Sequence, residues 1–138
     1  MAGNSGTPLA TKLGIRSGAV VAVLHTPDRL VLSLPDGVTV KVRAAGRADV
    51  VVDFVTRAAG LGRRIERLAA MVHPDGGVWI AWPKRSSGVA TDVGDHVVRD
   101  LALRRGLVDN KVCAVDATWS ALRLVWRRER RPVESGRQ

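Results

Sequence analysis

Three short runs of apolar residues most constrain how this chain can fold. Residues 19–24, 50–55 and 78–82 carry almost no polar side chains on either face of an extended backbone. That pattern is typical of parallel strands that are covered on both sides. Residues 112–115 and 122–126 predict two more strands, separated by a gap too short for a helical crossover. These two strands are therefore predicted to form an antiparallel hairpin at one edge of the sheet.

Helical patterns lie between the strands. Residues 61–72 show the clearest one, because apolar side chains recur there every three or four positions. Further helices are predicted over residues 9–13 and 94–105, and residues 73–77 are expected to form the loop that ends the long helix. Strands that alternate with helices predict an α/β fold: a small three-layer Rossmann-like domain with a mostly parallel sheet that ends in the antiparallel hairpin.

One segment near the start allows two interpretations. Residues 30–34 are apolar except for Ser33, residues 38–42 alternate apolar and polar side chains, and the turn sequence Pro35-Asp36-Gly37 lies between them. Local chemistry favours a hairpin of two strands at this point. A helix over residues 28–34, followed by a single strand, is the alternative, and the sequence leaves both open.

Length and composition limit the organisation of the chain. Its 138 residues suffice for one domain, since domains commonly have about 100–150 residues. Residues 1–6 are expected to be disordered, residues 7–126 to form the α/β domain, and residues 127–138 to form a basic tail. No apolar run approaches the ~18 residues of a membrane span, and the first residues do not resemble a signal peptide. The single cysteine fits a reducing compartment, so a cytoplasmic location with no membrane contact is expected.

Several sequence blocks carry a family resemblance. They are Gly6-Thr7-Pro8-Leu9-Ala10, Trp82-Pro83-Lys84, Ser87-Gly88, Thr91-Asp92, residues 106–116 and Thr118-Trp119-Ser120. In these blocks the chain resembles a bacterial family known only as a domain of unknown function, number 3052 (DUF3052). The resemblance covers nearly the whole domain except the basic tail, and it brings no established activity. It implies a small Rossmann-type domain that ends in a hairpin similar to the last two strands of methyltransferases, with a helix after the first strand.

Motifs for common cofactors and metals are missing from the sequence. The dinucleotide fingerprint requires glycines directly after the first strand, and here that strand is followed by His25-Thr26-Pro27-Asp28. This sequence disfavours the usual binding of NAD, FAD or S-adenosylmethionine, and no cofactor is expected. No paired histidines or cysteines have the spacing of metal ligands, so no metal site is expected. Cys113, in the middle of a strand, is interpreted as a buried, inert thiol.

A polar loop after the third apolar run is the first candidate site. It combines two cations, two hydroxyls and a glycine at the carboxyl end of a strand, where open sheets bind ligands. The candidate ligand-binding residues are Trp82, Lys84, Arg85, Ser86, Ser87, Gly88 and, at the end of the first strand, His25. An ordinary solvated loop explains the same residues equally well. Asp92 and Asp95 lie close by in the sequence and would compete with a bound anion.

An arginine-rich surface is the second candidate site. The formal net charge of the chain is +9, and such an excess attracts polyanions. The candidate polyanion-binding residues are Arg57, Arg63, Arg64 and Arg67 along the long helix, and Arg127, Arg128, Arg130 and Arg131 in the tail. A solvated helix face is the commoner explanation of such a stripe.

Three functional hypotheses follow from these sites. The leading one is a non-enzymatic cytosolic domain of unknown function that binds an anionic ligand or partner at the loop of residues 84–88. The second is weak binding of nucleic acid or another polyanion by the arginine stripe and the tail. The third is an atypical methyltransferase-like enzyme. No catalytic residues are assigned, and the sequence indicates neither the partner nor the oligomeric state.

Overall fold

The computed structural model describes residues 8–127, which contain one six-stranded sheet and three α-helices. The elements are α1 (Leu9–Lys12), β1 (Val20–Leu24), β2 (Thr39–Lys41), β3 (Ala48–Phe54), α2 (Leu61–Met71), β4 (Val72–Pro83), α3 (Asp95–Leu103), β5 (Leu107–Ala114) and β6 (Trp119–Trp126). A turn of 3-10 helix, Arg85–Ser87, lies between β4 and α3. No helix among residues 8–127 is long and apolar enough to cross a membrane.

The sheet is mostly parallel and ends in an antiparallel pair, as the sequence predicts. Its strand order is β2-β1-β3-β4-β6-β5. The neighbours from β2 to β4 pair in parallel, whereas β6 pairs antiparallel with both β4 and β5. The last strand therefore folds back between the two strands that precede it, which a short connection permits because the two strands of the hairpin run in opposite directions.

Two layers cover the sheet, which confirms the three-layer architecture. On one face, α2 and α3 bury residues such as Leu61, Ile65 and Val98 against the strands. On the other face, α1 and the chain between β1 and β2 cover a second core centred on Trp79. The indole of Trp79 donates a hydrogen bond to the carbonyl oxygen of Leu13 (3.0 Å) and so ties α1 to the sheet.

Residues 28–34 form neither the predicted strand nor the alternative helix. The segment is irregular, and β2 pairs in parallel with β1 rather than with residues 30–34. Leu30, Leu32 and Leu34 pack against the second core, while the Val31 side chain between them is 81% exposed. The leucines at every second position therefore pack on the face of the sheet, which needs no partner strand.

The predicted loop at residues 73–77 is also wrong, because β4 begins at Val72, directly after α2. The pairing of β3 with β4 shifts register between Ala48 and Val50 to accommodate the extra residues. Gly76 lies in this bulge, where a Cβ atom would come within 2.5 Å of the Asp49 carbonyl oxygen. Only glycine allows the two backbones to approach so closely.

Candidate functional site

The direction of strand succession reverses between β1 and β3. From β1 the chain adds β2 on one side, and it then adds β3 on the other side. In open α/β sheets, the carboxyl ends of the strands at such a reversal form a crevice that binds ligands. A cavity of about 410 Å³ lies here, which we call the switch-point cavity. It is lined by Leu24, His25, Val42, Arg43, Ala44, Asp53, Arg64, Arg67 and Leu68.

A buried ion pair forms the floor of this cavity. Asp53, in β3, is fully buried, and it is the only buried polar or charged side chain among residues 8–127. Arg64 of α2 binds it in a bidentate manner, with Nε 2.7 Å from Oδ2 and Nη2 2.8 Å from Oδ1. Such a fork fixes the orientation of the guanidinium as well as its position. No sequence motif points to Asp53, although a lone carboxylate in a buried apolar strand needs a cationic partner.

His25 joins this ion pair from the end of β1. Its Nδ1 lies 2.9 Å from Oδ1 of Asp53 and also contacts Nη2 of Arg64. Its φ of 56° is the only positive φ of a non-glycine residue between residues 8 and 127. That conformation costs an L-residue on the order of 1–2 kcal/mol, and such strain is found preferentially at functional sites. The side chain stands where the dinucleotide fingerprint has glycine.

Two further arginines border the cavity without partners. Arg43, which follows β2, and Arg67, on α2, are exposed, and their guanidinium groups make no hydrogen bond or ion pair with any residue in the described range. With Arg64, the lining contains three guanidinium groups and a single carboxylate. Guanidinium groups match the geometry of phosphate and carboxylate oxygens, so the cavity is suited to an anion. Arg43 is a second residue that the sequence analysis did not single out.

The structure separates His25 from the other expected ligand-binding residues. Trp82, Arg85 and Gly88 line a different cavity of about 560 Å³ at the end of β4, here called the β4 cavity. Trp82 is largely buried in the core. The lining includes Asp92 and Asp95 besides Arg85, so its carboxylates outnumber its arginines. Of the seven expected residues, His25 alone belongs to the switch-point cavity.

The other loop residues are occupied by contacts within the fold. Lys84 Nζ donates to the carbonyl oxygen of Asp116 (2.8 Å), at the turn between β5 and β6. Ser87 Oγ donates to the carbonyl oxygen of Lys84 (2.6 Å) and accepts from the backbone N–H of Val89 (3.2 Å). Ser86 is exposed and makes no hydrogen bond within the described part of the chain. These contacts explain the composition of the loop without a ligand.

The arginine stripe is interrupted in the structure. Arg63 and Arg67 are exposed on α2, and Arg57 is exposed just before it. Arg64 instead turns inward, because the buried carboxylate of Asp53 binds it. In the expected tail, Arg127 is half-buried and donates its backbone N–H to Gly106 (3.0 Å). The remaining predicted residues, Arg128, Arg130 and Arg131, lie outside the described residues, so polyanion binding stays a prediction.

The candidate metal ligands and the cysteine were also located in the structure. Between residues 8 and 127, no three His, Cys, Asp or Glu side chains are grouped so that they could hold a metal ion. Cys113 is buried, and this burial raises the pKa of its thiol. A raised pKa lowers the fraction of reactive thiolate at neutral pH, in line with an inert structural cysteine.

Comparison with known proteins identifies the fold. No family model and no curated protein sequence matches the chain, so membership of the DUF3052 family stays a prediction. Among solved structures, the chain is similar to magnesium protoporphyrin IX methyltransferase from Synechocystis PCC 6803 with bound SAM (TM-score 0.56, 11% identity, 86% of this chain and 74% of that one). It is also similar to a ribosomal protein L11 methylase from Lactobacillus delbrueckii subsp. bulgaricus (TM-score 0.54, 12% identity, 86% and 75%).

A third similar structure is LepI in complex with SAM (TM-score 0.54, 11% identity), in which 88% of this chain covers 47% of that one. The chain thus spans about half the length of some of the structures it matches. These likenesses establish a methyltransferase-like Rossmann fold. No comparison supports the leading hypothesis of a non-enzymatic loop site.

Proposed function

We propose that this chain is a protein of methyltransferase-like fold that binds a small anionic ligand, carrying a phosphate or carboxylate group, in the switch-point cavity. The observation that carries the proposal is the meeting of Arg43, Arg64 and Arg67 at the reversal of the strand order. A location at this reversal is where folds of this type bind ligands. We also propose that the chain belongs to the DUF3052 family.

The buried ion pair prepares one of the three arginines for binding. Asp53 holds Nε and Nη2 of Arg64, so this guanidinium loses little conformational freedom when a ligand arrives. The remaining nitrogen, Nη1, has no hydrogen-bond partner within the described residues and is not buried. It can therefore donate to an anion. The Asp53–Arg64 pair is neutral as a unit. The positive charge that attracts the anion therefore comes from Arg43 and Arg67.

Calorimetry with inorganic phosphate tests the proposal. A double variant, Arg43→Ala with Arg67→Ala, should weaken phosphate binding at least about tenfold, since hydrogen bonds to charged groups contribute about 1.5–3 kcal/mol. The matched control is Arg57→Ala with Arg63→Ala, which removes two exposed arginines and lowers the net charge equally. The control should bind phosphate as the unaltered protein does. Equal losses in the two variants would contradict a site at the cavity.

Methyl transfer from S-adenosylmethionine is the second candidate function, and the fold comparisons favour it. The side chains of the switch-point cavity do not fit this cofactor, whose sulfonium group carries a positive charge. The only carboxylate in the lining, Asp53, is bound by Arg64 and His25, and the other charged residues there are arginines. The strand end next to the cavity also carries His25 in place of glycine.

The same calorimeter distinguishes the two functions. We expect no heat of binding from S-adenosylmethionine or S-adenosylhomocysteine at concentrations where phosphate saturates the protein. Binding of either compound that phosphate displaces would favour the second candidate over the first. If S-adenosylhomocysteine bound and S-adenosylmethionine did not, the positive charge of the sulfonium group would be what prevents binding, because S-adenosylhomocysteine lacks that charge.

A further inference from the structure

One ring nitrogen of His25 has two partners that it cannot satisfy together. Nδ1 lies within hydrogen-bond distance of Oδ1 of Asp53 and of Nη2 of Arg64. A carboxylate only accepts hydrogen bonds, and a guanidinium only donates them. If Nδ1 accepts from Arg64, the proton of the neutral ring is on Nε2. If Nδ1 donates to Asp53, Nε2 carries a free electron pair and is a base.

The other ring nitrogen is available to a ligand. The His25 side chain is 64% exposed and lines the switch-point cavity. Its Nε2 makes no hydrogen bond with any residue from 8 to 127. A histidine held at one nitrogen by a buried carboxylate, with the other nitrogen facing a cavity, has the arrangement of a general base. The arginines at the same cavity are placed to neutralise charge that develops on a reacting anion.

We infer that His25 is the general base of this site and that a bound anion activates it, an inference that rests on the proposed anion-binding function. An anion that accepts from Nη1 of Arg64 and also from the second hydrogen of Nη2 removes the hydrogen bond that Nδ1 of His25 had accepted from Nη2. Nδ1 then takes up a proton and donates it to Asp53, and Nε2 loses its proton to solvent. His25 thereby changes from a hydrogen-bond donor toward the cavity into a base.

The substrate class that fits is a phosphate ester, with water as the nucleophile. Nε2 accepts a proton from the water molecule as its oxygen forms a bond to phosphorus. The bond between phosphorus and the ester oxygen breaks, and its electron pair leaves with the alcohol. The ester oxygen takes up a proton from solvent and the imidazolium releases its Nε2 proton to solvent, which gives an alcohol, inorganic phosphate and the original histidine. Asp53 acts as a positioning residue, because it holds Nδ1 throughout these steps.

Nuclear magnetic resonance of the ring nitrogens tests the activation. In the free protein, labelled with ¹⁵N, His25 should be protonated at Nε2, and saturating inorganic phosphate should move the proton to Nδ1. The His25→Asn variant assigns the signals, since asparagine tolerates a positive φ. An unchanged tautomer in a protein that binds phosphate would overturn this inference alone. Absence of phosphate binding would overturn the proposed function and this inference with it.

Hydrolysis of para-nitrophenyl phosphate tests the catalytic role. General acid–base catalysis typically contributes about 10²–10⁴-fold, so His25→Asn should lower kcat by at least about a hundredfold. Its affinity for inorganic phosphate should stay within about threefold, because arginines bind the anion. The control is His96→Asn, which changes a histidine that is 82% exposed on α3 and should leave kcat unchanged. Hydrolysis that survives His25→Asn, or a protein that binds phosphate and hydrolyses no ester, would overturn the role.

Discussion

The β4 cavity and the switch-point cavity both lie at the carboxyl edge of the sheet. They differ in whether the polar side chains around them already make hydrogen bonds within the fold. In the β4 cavity, Asp92 Oδ1 accepts from the backbone N–H of Ala58 (2.7 Å), and Thr91 Oγ1 donates to the carbonyl oxygen of Thr56 (2.7 Å). Both contacts tie the loop before α3 to the loop after β3. In the switch-point cavity, Arg43 and Arg67 have no such partners within the described residues.

This difference shows that residue composition alone does not tell which polar groups remain available to a ligand. A polar group binds a ligand only if doing so does not break a hydrogen bond that holds the fold, because an unpaired buried group is costly. The loop at residues 84–88 has the residue types of an anion site, yet Lys84 and Ser87 satisfy backbone carbonyl groups. Charge also favours the switch-point cavity as the anion site, since arginines predominate in its lining and aspartates predominate in the lining of the β4 cavity.

The largest effect on stability is expected from the ion pair of the switch-point cavity. Arg64→Met should lower the free energy of unfolding by about 3–5 kcal/mol, because it leaves the buried Asp53 carboxylate without its cation. Asp53→Asn should cost less, since the Arg64 side chain is 34% exposed and can be hydrated. Arg63→Met, at an exposed position next along the helix, should change stability by no more than about 0.5 kcal/mol. Urea denaturation measures the free energy of unfolding of all three variants. Equal losses for Arg63→Met and Arg64→Met would contradict a stabilising role of the buried ion pair.

The next effect is the stabilisation that a ligand provides. Phosphate at a hundred times its Kd should raise the free energy of unfolding by about 2.7 kcal/mol, because it binds only the folded state. The double variant Lys84→Ala with Arg85→Ala should show the same rise, since neither side chain lines the switch-point cavity. Thermal denaturation with and without phosphate measures the rise. If the double variant abolished the rise, the phosphate site would lie at residues 84–88 rather than in the switch-point cavity.

Much of the architecture could be predicted from the sequence because it depends on local patterns. The apolar runs at residues 19–24, 50–55 and 78–82 became β1, β3 and β4, and the closing hairpin is confirmed. The hairpin predicted for Leu30, Leu32 and Leu34 is wrong because apolar residues at every second position show that one side of the segment is buried. They do not show whether a partner strand or the face of the sheet buries it. Packing on the face of a sheet and pairing in a hairpin produce the same pattern.

The site was harder to predict because its contacts join distant parts of the chain. His25 was singled out from its place at the end of a strand. Asp53 was not, although 28 residues further on it provides the partner of His25. Arg64 was assigned to a solvent-facing stripe from its helical phase, and only the tertiary position of Asp53 turns it inward. Periodicity describes one element at a time, whereas this site is built from four segments of the chain: the ends of β1 and β2, β3 and α2.

A smaller effect is expected in the loop that borders the β4 cavity. The Thr91 hydroxyl donates to Thr56 and accepts from the backbone N–H of Val93 (3.0 Å). Thr91→Val removes both hydrogen bonds at nearly constant volume and should cost about 1–2 kcal/mol of stability. The affinity for phosphate should not change. Urea denaturation and calorimetry on one preparation test both statements, and a stable variant with weakened phosphate binding would make this loop part of the site.

The smallest effect concerns two arginines one turn apart on α2. Arg63 and Arg67 are both exposed and four residues apart, and like charges at this spacing destabilise a helix by a few tenths of a kcal/mol. Arg63→Ala and Arg67→Ala should therefore each slightly stabilise the protein, as precise denaturation curves can detect. Only Arg67→Ala should weaken phosphate binding, by about threefold to tenfold, because Arg67 lines the cavity and Arg63 does not. If both variants instead weakened the binding of single-stranded RNA equally and left phosphate binding intact, the helix face would act as a polyanion surface. The repulsion between Arg63 and Arg67 would then accompany a surface that binds a polymer rather than a site for one small anion.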